Sequence, residues 1–310
     1  MGVKVEKAEI AQDVEAVITS FNQGNMIREA VQSLWDQTVR PVRIRIVDDG
    51  STDPDSVRVL EQLEADPEAA VPVEILRQEN AGVSAARNAG IRSAVAPLVL
   101  VLDGDDRLEA DYLEKVRNLL REHPAMVAAS SWMHTFGVLD AIVCPGGGTL
   151  QEFLSRNCCP ATHIHRRELW EKCGGYDECM RSGFEDWEFF LSMLETVKNG
   201  SIGIVEKPLI AYRTTPVSSN IRSMSKRLEL MHFIIEKHKK SYREHVADAI
   251  LGVEAVSISR LYGWENEILH ERKNGQKLSK EGEEFIRKPS YGDGGMAAAV
   301  RIASGNNKEK

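Results

Sequence analysis

The sequence of 310 residues has no run of about 18 consecutive apolar residues, so no segment of it is expected to span a bilayer as a helix. Its opening stretch, MGVKVEKAEIAQDVEAV, lacks the apolar core of a signal peptide, and cytoplasmic residence is the expectation. Cysteine is scarce. The five cysteines, Cys144, Cys158, Cys159, Cys173 and Cys179, all fall within 144–179. Their number is odd and their spacing matches no common zinc pattern, so they read as reduced, small packing residues. Adjacent Cys158 and Cys159 would pair only under strain. Positive charge is also in deficit. A net charge of −8 excludes nucleic acid as a default partner, because neutralising a phosphate backbone needs a basic face.

What is present is an ordinary soluble balance, 42% hydrophobic and 28% charged. Val14 to Ser20 reads as a strand, followed by a helix with Ile27, Ala30, Val31, Leu34 and Trp35 at helical spacing. Val42, Ile44 and Ile46 alternate as a second strand, ending in Asp48-Asp49-Gly50-Ser51-Thr52-Asp53. Ser51, Thr52 or Asp53 can cap the next helix. A short strand near Val73 to Leu76 follows, then a small-residue helix over 84–94, an apolar strand over 98–103 and a helix over about 110–122. Strands alternating with helices predict a mixed, mostly parallel α/β sheet, whose ligands bind beyond the carboxyl ends of the strands.

Downstream, Met126 to Phe136 and Ala161 to Arg166 read as extended, Glu185 to Val197 as a helix, and Ile202 to Arg213 as one or two strands. From Met224 to Arg272 the pattern is helical, and 273–310, rich in Gly, Lys and Glu, reads as a loosely held tail. The expected organisation is one α/β domain over 1–222, a helical extension over 223–272 and that tail. Within the α/β domain one half covers about 14–106 and the other about 107–222. Pro145-Gly146-Gly147-Gly148 reads as a mobile loop.

The chemistry concentrates in VLVLDGDDRL over 99–108. A buried strand there delivers Asp103, Asp105 and Asp106 at its carboxyl end. Crowded like charges are costly without a shared positive partner, and a hard divalent cation bridged to substrate phosphates supplies one. Arg87 and Asn88 are candidates for diphosphate or pocket contacts, since an arginine fork suits phosphate. Pairing of Arg87 with a local carboxylate is nearly as good a reading. Glu185-Asp186 sits at a helix start, where the dipole favours negative charge and keeps the Asp186 carboxyl ionised. Trp187 reads either as a sugar-stacking ring or as core, and alternating His163 and His165 more often pack than ligate.

Four segments in order, VITSFNQGNMIREAVQSLWDQT (17–38), IVDDGSTD (46–53), NAGVSAARNAGI (80–91) with VLDGDD (101–106), and GGYDECMRSGFEDWEFFLSM (174–193), resemble the family 2 glycosyltransferases. KPLIAYR (207–213) resembles their closing strand, so the likeness covers about 14–220. The resemblance implies a GT-A fold and an inverting, metal-dependent transfer from a nucleotide-diphosphate sugar, UDP foremost. It implies that Thr19, Phe21, Asp48, Asp49 and Asn80 line the nucleotide pocket. It further implies that Asp103, Gly104 and Asp105 form the Asp-x-Asp signature that holds Mn²⁺ or Mg²⁺. Asp105 is the preferred direct ligand, with Asp103 at the ribose or a metal-bound water and Asp106 assisting. Asp186 becomes the general base and Glu185 a positioning group, while Arg213, with Ser218 and Ser219 after it, closes over the diphosphate. The acceptor is a saccharide, a lipid-linked saccharide or a peptide.

Two other classes share parts of this pattern. A catalytically silent nucleotide-sugar-binding module would keep the pocket, and a glycosidase would keep paired carboxylates without a metal. A sugar nucleotidyltransferase lacks support, because TSFNQGNM (19–26) carries no Gly-rich, basic triphosphate loop. Lys237, His238, Lys239 and Lys240 are compatible with peripheral contact to an anionic membrane surface or another chain, a solvated helical face being the simpler expectation.

Overall fold

A computed structural model of the chain describes residues 8–216, 219–273, 278–290 and 293–304. It divides into two compact units, Met1–His245 and Val246–Lys310. The first unit thus extends beyond residue 222, where the sequence suggested its boundary.

In the first unit β1 (Glu9–Ser20), α1 (Met26–Trp35), β2 (Val39–Asp48), α2 (Pro54–Glu64), β3 (Val73–Arg77), α3 (Val83–Ser93) and β4 (Leu98–Asp103) alternate as expected. Their strands are parallel, in the order β3-β2-β1-β4. Residues Ala16, Val17 and Ile18 of β1 and Val99 to Leu102 of β4 are buried on both faces, as crossover helices on a parallel sheet require. Asp53 is the cap that starts α2: its carboxylate accepts the Ser56 N–H at 2.9 Å, with Pro54 at the first helical position. The small residues of α3 let it lie close on the sheet. A Cβ at Gly90 would come within 2.4 Å of Val17 Cγ1.

The chain continues through β5 (Arg107–Leu108), α4 (Tyr112–Glu122), β6 (Met126–Gly137), β7 (Ala141–Val143), β8 (Gly148–Thr149), α5 (Leu150–Phe153) and β9 (His163–Arg166). Then come α6 (Arg167–Cys173), α7 (Glu185–Thr196) and β10 (Ser201–Thr214). β9 joins the sheet antiparallel between β4 and β6, and β10 runs parallel to β6 as a single long strand. The 145–148 loop is not a free lid. Gly147 N–H donates to Cys158 O at 2.9 Å, β8 pairs with β10, and a Cβ at Gly147 would meet Ile202 O at 2.4 Å.

Three helices close the first unit, α8 (Ser219–Ser225), α9 (Arg227–Lys237) and α10 (Lys239–Glu244). They are fastened to α7 by charge. Lys237 reaches Asp177 and Glu188 at 2.6 and 2.9 Å, and buried His238 lies 3.2 Å from Glu188 and 3.1 Å from Glu195. Of the four residues considered for a membrane surface, His238 is therefore buried and Lys237 is paired with carboxylates.

The second unit holds α11 (Val246–Lys273), α12 (Lys280–Arg287) and α13 (Gly295–Ser304). Its described part overturns the loose-tail expectation. Ser279 caps α12, the Ala-rich α13 is a strong helix former, and Ile268, Leu269 and Ile302 pack with Leu278, Phe285 and Ile286. Arg301 grips Glu265 with two nitrogens at 2.6 and 2.8 Å. Among the described residues no helix is long and apolar enough to cross a membrane.

Candidate active site

The register of the central strands brings Thr19 of β1 opposite Asp103 of β4, and Ser20 opposite Asp48 of β2. The carboxyl ends of three strands thus form one rim. Phe21 continues β1 onto this rim and is 47% exposed. Asp48 and Asp49 are both buried and both engaged by backbone. Asp48 accepts the Ser51 N–H at 3.0 Å, which closes the turn. Asp49 accepts Gln78 Nε2 and the N–H groups of Ala81 and Gly82 at 2.7–2.9 Å, while Asn80 Nδ2 donates to its carbonyl at 3.0 Å. The Asp49 carboxylate thus fixes the loop leading into α3.

Arg87 is fully buried on α3 and does not point at open space. One nitrogen donates to Asp103 Oδ1 at 2.8 Å and the other to Glu185 Oε1 at 3.0 Å. The expected phosphate contact gives way to the carboxylate pairing, and Glu185 becomes a strut. Asn88 is likewise internal. It donates to Tyr176 O and Glu178, accepts from Trp170 Nε1 and Tyr176 N–H, and so bolts α3 to the 174–178 loop.

Gly104 holds the acidic loop against the β1–α1 turn. Its N–H donates to Thr19 O at 3.1 Å, and a Cβ there would stand 2.6 Å from that oxygen and 2.1 Å from Gln23 Oε1. Beyond it, burial and then the Asp103 charge raise the Asp105 carboxyl above its usual range. Burial, Asp103 and Asp105 push Asp106 up further. Arg213 organises this loop from β10. Its N–H donates to Asp106 Oδ1 at 2.8 Å, its Nε to Asp105 O at 2.9 Å and its outer nitrogen to Glu29 at 2.8 Å. Of the neighbours expected to act with it, Ser218 lies outside the described residues.

Among the described residues no three His, Cys, Asp or Glu side chains make a complete metal cage. The Asp103–Asp106 loop instead offers crowded hard oxygens, and burial with neighbouring charge raises the Asp105 and Asp106 carboxyls even with Arg87 and Arg213 beside the loop. That donor set fits a cation that keeps water and substrate phosphates among its ligands.

Asp186 opens α7 with Glu185, after Phe184 at φ 64°. Burial, then the Glu185 charge, raise its carboxyl to about 7, reversing the expectation that the helix dipole keeps it low. A dipole of partial charges is outweighed by desolvation and a neighbouring full charge. Asp186 Oδ2 accepts Asn157 Nδ2 at 2.9 Å, and Oδ1 accepts the Trp187 N–H at 2.8 Å. Trp187 is core: it is 2% exposed and its Nε1 donates to Phe153 O at 2.7 Å. His163 and His165 are buried against Phe189 and Phe190, 3.2 Å apart through ring nitrogens. Burial lowers His163 to about 3 and His165 well below its usual value, so both are neutral packing residues. The five cysteines are free: Cys158 and Cys159 are buried packing residues, whereas Cys144 and Cys179 are exposed.

Three groups escaped the sequence reading. Tyr212, inside KPLIAYR, has its phenol raised by burial and then by Asp106, Asp103, Asp105 and Asp186, so one ring senses all four carboxylates. Tyr176 is buried with an unpartnered hydroxyl, stacked 3.9 Å from Phe189 and beneath the Arg87 guanidinium. Asn157 lies in a stretch without motif character. For the tyrosines the available signal was their place inside the quoted motifs.

A sheet of this order, with its acidic rim and its second acidic pair on α7, defines a GT-A glycosyltransferase fold. Residues 15–145, less than half of the chain, match the family model described as "Glycosyl transferase family 2". Over 119 residues the chain is 32% identical to glycosyltransferase GlyA of Streptococcus pneumoniae serotype 4, covering 38% of this chain but 16% of GlyA. The chain thus spans a small part of that relative. S. aureus TarS 1-349, solved in complex with UDP, superposes with TM-score 0.60 at 17% identity over 94% of this chain and 81% of that one. The same TarS fragment solved with UDP-GlcNAc gives TM-score 0.58 at 17% identity, with the same coverage of both chains.

Proposed function

We propose that the chain is a metal-dependent inverting glycosyltransferase that moves a sugar from a UDP-sugar to an acceptor hydroxyl. The observation that carries this reading is convergence. Asp103, Asp105, Asp106, Glu185 and Asp186 come from two distant segments, yet Arg87 bridges two of them and Tyr212 senses the other three together with Asp103. Paired carboxylates alone would suit several reactions. A rim of strand ends beside them suits a nucleotide.

In this reading Asp105 would hold Mn²⁺ or Mg²⁺, with Asp103 at the ribose or a metal-bound water and Asp106 assisting. The cation, when bound, neutralises charge developing on the departing diphosphate. The chain's own residues do the rest. Thr19, Phe21, Asp49 and Asn80 shape the base and ribose side of the rim, Gly104 keeps the acidic loop close to it, and Arg213 fixes that loop from β10. Asp186 takes the proton from the acceptor hydroxyl as its oxygen bonds to the anomeric carbon. The bond from that carbon to the phosphate oxygen breaks, UDP leaves with the electron pair, and configuration inverts. A carboxyl near neutrality is matched to that task, since it is ionised when needed and a fair proton acceptor. UDP is chosen over other nucleotides because TarS, of like fold, was solved with UDP and UDP-GlcNAc.

The test is a panel of UDP- and GDP-sugars incubated with Mn²⁺, Mg²⁺ or chelator, reading nucleotide release. Metal-dependent UDP release is expected from at least one UDP-sugar. Binding of UDP-sugars with no turnover under any acceptor would favour the silent binding module. Release that ignores chelator would remove the metal from the account.

A further inference from the structure

Asn157 is exposed, on the loop between α5 and β9, and its side chain is fixed at both ends. Its Oδ1 accepts the Cys159 N–H at 3.2 Å. That bond settles which end of the amide is oxygen, so the NH₂ group must face Asp186 Oδ2, 2.9 Å away. Both backbone and base are thereby tied to one residue on the open side of the cleft.

We propose that Asn157 is a positioning residue for Asp186: its amide holds the base oxygen in place and favours its ionised form on the acceptor side of the site. This rests on the reading of Asp186 as the base. The need for such a donor follows from the surroundings. Asp186 is faced by Glu185 beside it on α7, Asp103 and Arg87 from β4 and α3, Tyr176 from the 174–178 loop, Cys159 from the Asn157 loop and Tyr212 from β10. Two of these are carboxylates. The cation that acts on the Asp186 carboxyl, Arg87, is already shared between them, and Arg227 lies over the flanking Phe184 and Trp187 rings. An amide N–H on the anionic oxygen supplies local stabilisation without adding charge. Asp186 spends two hydrogen-bond sites, on Asn157 and on the Trp187 N–H, and a carboxylate has about four, so room remains for an acceptor hydroxyl.

Two substitutions separate positioning from loop structure. Asn157→Asp keeps the oxygen that accepts the Cys159 N–H and removes the donor, whereas Asn157→Ala removes both. The readout is the ¹³C titration of the Asp186 carboxyl, assigned by its loss in Asp186→Asn, in the full chain without donor or metal. Both variants are expected to move the midpoint upward, Asn157→Asp more than Asn157→Ala, by about one pH unit or more. The acid limb of the rate profile for transfer should move with it, with the donor KM within about twofold of the parent. A midpoint unchanged in Asn157→Asp, or a loss of rate equal at every pH, overturns the inference. Retained transfer by Asp186→Asn would remove the base assignment itself and this inference with it. Unmoved Asn157 variants beside an inactive Asp186→Asn would overturn this inference alone.

Discussion

Arg87 donates to Glu185 at 3.0 Å across a sequence separation of 98 residues, and the same guanidinium holds Asp103 at 2.8 Å. One buried cation therefore joins the end of β4, which carries the acidic loop, to the first turn of α7, which carries Asp186. The pair is a bolt through the site, and it explains why the acidic segments meet.

Arg87→Met should therefore cost both stability and activity. Removing one partner of a buried ion pair strands the others, and about 3 kcal/mol of unfolding free energy is the expected loss. Denaturant unfolding at neutral pH checks it. A variant as stable as the parent would mean that the bridge is not formed in solution.

Asp186→Asn should abolish transfer and yet raise stability above neutral pH. The folded-state carboxyl titrates at about 7 against an ordinary value of 3.8, so the folded protein binds a proton that the unfolded chain releases. The Asp186 contribution to stability falls as pH rises from about 4 to about 7, and the variant does not carry it. The variant's advantage at pH 8 should be about 1 kcal/mol or more and should vanish below pH 4. Thermal unfolding at pH 4 and pH 8 measures the difference.

Gly104→Ala should displace the acidic loop. The added methyl meets Thr19 O and Gln23 Oε1, and overpacking of this kind costs about 1–3 kcal/mol. UDP affinity in the presence of Mn²⁺ should fall at least about tenfold, because the carboxylates move with the loop. Calorimetric titration of UDP reads both the affinity and its metal dependence.

His163→Gln should leave UDP affinity unchanged. Its ring is buried, neutral and bonded to Ala161 O and His165, so the variant should lose about 1–2 kcal/mol of stability. A loss of nucleotide affinity without loss of stability would return His163 to the site.

The first half of the fold was legible because its signals are local. Alternation marked β2, helical spacing marked α1, and the cap candidates Ser51, Thr52 and Asp53 marked the start of α2, of which Asp53 is the one used. The candidate site was legible as a set of carboxylates at strand and helix ends, and the order of the motifs tied them to a family. Their partners were not legible. For Arg87 the reading was open between phosphate and a local carboxylate, and its bridge from Asp103 to Glu185 spans too much chain to be seen in sequence. The Asp186 carboxyl was expected to stay low because a helix start is visible in sequence, whereas burial by Tyr176, Tyr212 and the 157–159 loop is not. The end of the chain misled for the opposite reason. Gly and Lys gave it a loose composition, but the Ala-rich α13 had enough helix propensity, and its Ile302 packs with Ile268 and Leu269 of α11.

The most direct measurement is UDP binding and donor turnover by Asp105→Ala and Asp186→Asn side by side with the parent, with Mn²⁺ and with chelator. Parent and Asp186→Asn should bind UDP alike and only with metal, Asp105→Ala should bind it weakly whatever the metal, and neither variant should transfer sugar. Metal-independent binding by the parent, or sugar transfer by Asp186→Asn, would contradict the account.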